Sequence, residues 1–154
     1  MKGSYFMPTT VVSRDTILLL RECNAGTKMA IESIDEVIDN VQNEELKNIL
    51  NQCKGRHSEI GEETKNILNE YEEEGREPSA MAKGMSWIKT NFKLTVDNSD
   101  KTIADLITDG CNMGTKSLRR YINEYAAAED RVKDIAFRLI NIEEDTIDGV
   151  KKFL

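Results

Sequence analysis

One histidine, two prolines and one tryptophan among 154 residues leave this sequence short of several kinds of chemistry. A lone imidazole supports no arguable Ser/His/Asp arrangement. Cys23, Cys53 and Cys111 are an odd number of cysteines without CxxC spacing, so no disulfide framework is expected and reduced, buried thiols are. Basic residues are in deficit: 21 Lys and Arg stand against 28 Asp and Glu, for a net charge of −7. Such a surface repels phosphate backbones and anionic headgroups, which argues against nucleic acid and membrane as partners. No stretch approaches the roughly 18 apolar residues of a membrane span, and "MKGSYFMPTTVVS" lacks the roughly 7–15-residue apolar run of a secretion signal. The expected compartment is therefore the cytoplasm. Strand signals are equally scarce, so the expected class is soluble and all-α, with one domain over 1–154.

What is present is helical periodicity. Ser13 is a candidate N-cap, and after it Ile17, Leu20, Asn24, Thr27, Ile31, Ile34, Ile38 and Val41 recur at spacings of three and four, which predicts a long helix over 14–41. Asn43 can cap a second helix over 44–71, striped by Leu46, Leu50, Cys53, His57, Ile60, Thr64, Ile67 and Tyr71. The connection is so short that the two must form a hairpin. "EEEGREPS" ends it as an acidic turn. A shorter helix in "SAMAKGMSWIKTNFKLTV" belongs to a crossover over 75–100. A third helix over 101–126 carries Ile107, Cys111, Gly114, Leu118, Ile122 and Tyr125. A fourth over 128–154 carries Val132, Ala136, Leu139, Ile147, Val150 and Phe153. The predicted architecture is an antiparallel four-helix bundle of two hairpins, 14–71 and 101–154, behind an N-terminal extension over 1–12.

"CNAGTK" at Cys23–Lys28 returns as "CNMGTK" at Cys111–Lys116. Both copies fall inside predicted helices, so they are not phosphate-binding loops, which need a Gly-rich turn at a helix start. An internal repeat is the simpler reading. Glycine in a helix interior costs about 0.5–1 kcal/mol relative to Ala, so Gly26 and Gly114 suggest close helix approach. Lys28 and Lys116, beside the repeated Thr, are expected to snorkel to the surface.

Two hairpins joined by a crossover, with "MAKGMSWIKTNF" between them, resemble the ferritin-like superfamily, and especially its small bacterial four-helix members of uncharacterised role. The resemblance covers roughly residues 14–154. It implies a di-iron centre built from one Glu on each of two helices and a Glu-x-x-His on each of the other two. Carried onto this chain, the single carboxylates fall near Thr27 and Thr115, which are hydroxyls. The Glu-x-x-His of the second helix falls on "KGRH", where His57 keeps its place and Lys54 replaces the carboxylate. The fourth helix offers Glu143, Glu144, Asp145 and Asp148 without a histidine. An ammonium beside two cations opposes binding, so no di-iron centre, and no metal or other cofactor, is expected. A reduced site for iron or zinc would use His57, Glu143 and Glu144. Cys53 and His57, four apart, are a two-ligand fragment for zinc. Cys23, about eight residues or 12 Å from the level of Cys53, cannot share it.

If the first turn lies near residue 42, Thr27 faces His57. Asn24, Thr27, His57, Asn112, Thr115 and one of Glu143 or Glu144 then form a polar layer with its own hydrogen bonds and water. Met81, Met85, Trp87 and Phe92 exceed what one stripe can bury, which suggests a homodimer contact. The functional expectation is a non-enzymatic bundle with a degenerate metal site and a structural or protein-interaction role. The alternatives are an iron-handling or redox protein using His57, or a small-ligand binder at the polar layer.

Overall fold

A computed structural model describes residues 12–71, 91–92 and 97–154. Among these residues there is no strand, and four long helices pack together: α1 (Arg14–Val37), α2 (Glu44–Glu70), α3 (Asp100–Glu124) and α4 (Asp130–Val150). No helix among them is long and apolar enough to cross a membrane. Of the crossover, Asn91 and Phe92 are described, both helical, and Phe92 is buried in the core of its own chain. Met81, Met85 and Trp87, the rest of the surface expected to self-associate, lie outside the described residues, as does nearly all of the N-terminal extension.

Side chains at the helix starts satisfy backbone donors that no helix turn can reach. The Ser13 hydroxyl accepts from the amide of Thr16, Asn43 Oδ1 accepts from Glu45 and Leu46, and the Ser99 hydroxyl accepts from Thr102. α1 stops earlier than its apolar stripe suggests. Ile38–Asn40 tighten into a 3-10 turn, with the Val41 amide bonded to the Ile38 carbonyl at 3.2 Å, and Val41 then turns extended. α4 likewise begins at Asp130 rather than Ala128, because Glu129 has an extended backbone (ψ 148°), and its amide, with no helical acceptor, donates to the Thr16 hydroxyl at 2.9 Å.

α1 packs chiefly on α2, and α3 on α4; α2 also lies along α4, while α1 touches α3 only lightly. Partner numbers along α1 and α2 run in opposite senses, from Asn24 with Thr64 to Asp35 with Lys54. The core is continuous, with Leu19, Leu20, Leu46, Leu50, Ile103, Ile135 and Leu139 almost wholly buried. Burying each such side chain contributes about 1.5–3 kcal/mol. The α1–α2 and α3–α4 turns are each held by the start of a distant helix. Amides of Gln42 and Asn43 donate to the two oxygens of Asp100, at 2.8 and 2.9 Å, and the Ala127 amide donates to Asp15 at 3.0 Å. The light contact between α1 and α3 leaves a cavity, and its wall holds the candidate site.

Candidate functional site

Cys53 and His57 stand one turn apart on the buried stripe of α2, so both face inward. α4 adds Glu143, on the buried sequence Leu139, Glu143, Thr146, Val150. The three residues are 5%, 2% and 8% exposed respectively. Their ligand-capable atoms lie within 4.8 Å of one another. α3 contributes a gap rather than a side chain. A methyl group on Gly114 would sit 2.5 Å from Glu143 Oε2, so the carboxylate rests where the missing side chain would be.

The imidazole of His57 is bonded on both sides. Nδ1 lies 2.8 Å from the Cys53 carbonyl oxygen, which is a closer acceptor than the Cys53 thiol at 3.6 Å. Nε2 lies 3.1 Å from Glu143 Oε1. A carbonyl and a carboxylate both accept, so both ring nitrogens carry protons and the ring is an imidazolium. Burial alone would lower its pKa. The hydrogen bonds to Cys53 and Glu143 and the charge of Glu143 outweigh burial and lift it to about 10.

This pair borders a cavity of about 130 Å³ whose wall is mainly apolar, with Met29, Ile34, Ile107, Leu118 and Leu139 among the lining residues. Cys53, His57 and Glu143 line it as well, and so does Gly26, beside which a methyl group would meet nothing within 4 Å. Gly26 therefore marks open space, and of the two repeated glycines only Gly114 marks a close approach. Cys111 lines the same cavity. Burial, and then the charges of Glu143 and Cys53, push its thiol well above the usual range. Burial and nearby Glu22 push Cys23 up to about 12. All three cysteines are free and buried.

The residues expected in one polar layer divide into separate places. Asn24 donates to Thr64 Oγ1 at 3.0 Å, and Thr27 donates to the Asn24 carbonyl at 2.7 Å. Thr27 faces Gly61, where a methyl group would lie 3.0 Å from its hydroxyl, one turn of α2 beyond His57. Asn112 is exposed. Thr115 is half-buried, and its hydroxyl oxygen is buried without a hydrogen-bond partner. The copies differ because α1 packs on α2 and also meets α4, whereas α3 packs mainly on α4.

Glu144 is exposed and pairs with Arg119, Asp145 with Arg56, and Asp148 with Lys151. Lys54 pairs with Asp35 on the surface, so it neither blocks nor joins the site. Lys116 is exposed and Lys28 half-buried. Among the described residues Glu143 is the one buried carboxylate, so the residues present do not fit a di-iron centre, whose two cations need several.

No protein-family model matches this chain, and no curated protein matches it.

Proposed function

We propose that this chain is an antiparallel four-helix bundle of two similar hairpins, ferritin-like in architecture alone, and that it acts without catalysis by holding a small molecule between α1 and α3. The reciprocal clamps support the architecture. Asp100 at the start of α3 holds the α1–α2 turn, and Asp15 at the start of α1 holds the α3–α4 turn. A non-enzymatic role is supported by the state of the reactive groups. An imidazolium bonded at both nitrogens has no lone pair for base catalysis, and the thiols of Cys23 and Cys111, held protonated by burial, are poor nucleophiles.

The observation that carries the function is the cavity itself, mainly apolar and bordered by the buried carboxylate of Glu143. Apolar cavities of about 150 Å³ take up benzene, so 130 Å³ suits a single-ring molecule. Glu143 Oε2 accepts, which favours a ring bearing one hydrogen-bond donor. Phenol, pyrrole and cyclohexanol are suitable probes. Thermal shift and two-dimensional amide NMR should show stabilisation that rises with concentration, reaching about 2.7 kcal/mol at a hundredfold excess over Kd. Gly26→Leu should fill the space and abolish the response. A wild-type chain that responds to none of the three would overturn this reading.

A further inference from the structure

We propose that Cys53, His57 and Glu143 form a mononuclear site for one thiophilic divalent cation, with zinc the ion their donors match. One soft thiolate, one imidazole and one carboxylate are a zinc donor set, and three protein ligands leave a fourth position open. Two donors about 2.0–2.1 Å from a tetrahedral ion stand about 3.3 Å apart. His57 Nε2 and Glu143 Oε1 are 3.1 Å apart, close to that spacing, and the ligand atoms of the three residues lie within 4.8 Å of one another, so a small side-chain shift of Cys53 would bring its thiolate to the same ion.

The orientation of His57 is fixed in the way a ligand needs. Its Nδ1–H donates to the Cys53 carbonyl at 2.8 Å, so Nε2 is the nitrogen turned toward Glu143 and free to coordinate once its proton leaves. Charge also balances. Zinc displaces one proton from His57 Nε2 and one from Cys53 Sγ, two protons for one dication, so the buried site has the same net charge before and after. All three residues line the cavity, from which an ion and a fourth ligand would enter. The donor set shares nothing with a six-ligand di-iron centre beyond the placement of one histidine and one carboxylate. Cys111 borders the same space but does not belong to the group of three.

The test uses the full chain, purified reduced and without chelator, then dialysed and titrated with zinc or with cobalt(II) as a spectroscopic stand-in. One zinc per chain by elemental analysis and a thiolate-to-cobalt charge-transfer band are expected. Cys53→Ser should remove the band and weaken zinc binding by more than about tenfold. Cys111→Ser should keep both. Should Cys53→Ser fail to fold, Glu143→Gln serves instead, with zinc weakened to a similar degree. A native chain that retains no zinc and gives no band overturns the proposal, as does a band that survives Cys53→Ser. Failure of the cavity reading would leave the zinc stoichiometry at one, because no donor comes from the apolar wall.

Discussion

Gly26→Ala and Gly114→Ala each add one methyl group at the same place in a repeated six-residue motif, and their effects on stability should have opposite signs. Both glycines lie in helix interiors, where alanine is favoured by about 0.5–1 kcal/mol. At Gly26 the new methyl meets nothing within 4 Å, so this gain should appear whole. At Gly114 it would stand 2.5 Å from Glu143 Oε2, and the carboxylate must move. A long side chain can usually swing aside cheaply. This one holds His57 at 3.1 Å in a site where both partners are buried, and breaking a buried pair costs about 3–5 kcal/mol. Subtracting the helix gain leaves a net loss of about 2–4 kcal/mol. The two substitutions should therefore differ by about 3–5 kcal/mol in urea unfolding near pH 6, where the contribution of His57 is complete. A background lacking the carboxylate supplies the control: in Glu143→Ala, Gly114→Ala should become stabilising by the helix amount. If Gly114→Ala stabilises the wild-type chain as much as Gly26→Ala does, Glu143 is not held as described and the account of the site fails.

Three further outcomes follow from the same contacts. His57→Leu leaves Glu143 buried without its cation and should cost about 3–5 kcal/mol, whereas His57→Leu with Glu143→Leu should come within about 1 kcal/mol of wild type; a double variant as unstable as the single one would mean that packing, not charge, sets the cost. Stability should also fall with rising pH, because His57 has its pKa raised from 6.5 to about 10 by folding: its contribution is complete below 6.5 and is lost as pH climbs toward 10. Ionisation of the buried thiols in the unfolded chain adds to that loss only near and above their ordinary value of 9.0, so a decline of up to about 1.4 kcal/mol per pH unit between 6.5 and 9 belongs to His57, and a flat urea midpoint there would refute the ion pair. Asp100→Ala removes the acceptor for the Gln42 and Asn43 amides and should lower stability by about 1–2 kcal/mol, with Asp100→Asn recovering part of it; calorimetric melting of the three chains checks this.

Helices were legible because one physical constraint, burial of a single face, repeats every three or four residues. The α2 stripe from Leu46 to Ile67 is buried as its spacing predicts, and it carries His57 to its place beside Cys53. The same spacing separates Glu143 from Glu144, since Leu139, Glu143, Thr146 and Val150 fall on one face of α4 and Glu144 falls off it. The level of one helix against another is set by the turn, which periodicity does not describe. Counting evenly from residue 42 puts Thr27 opposite His57, but the arms are not even. From Thr27 to Val37 is about 15 Å of α-helix, Ile38–Asn40 add about 6 Å at the longer 3-10 rise, and extended Val41 adds about 3 Å, or about 24 Å in all. On α2, His57 lies only about 20 Å beyond Glu44, and Gly61 lies about 26 Å beyond it. Thr27 meets Gly61 for that reason, and the polar groups divide into an Asn24–Thr27–Thr64 set and a Cys53–His57–Glu143 set. The cavity was hidden for a related reason. It exists because α1 and α3 touch lightly, and the two copies of one motif look alike in letters while Gly26 opens onto space and Gly114 seats a carboxylate. A repeat in sequence thus fixes which faces are apolar, and the packing around each copy decides whether its glycine makes room for a neighbour or for a guest.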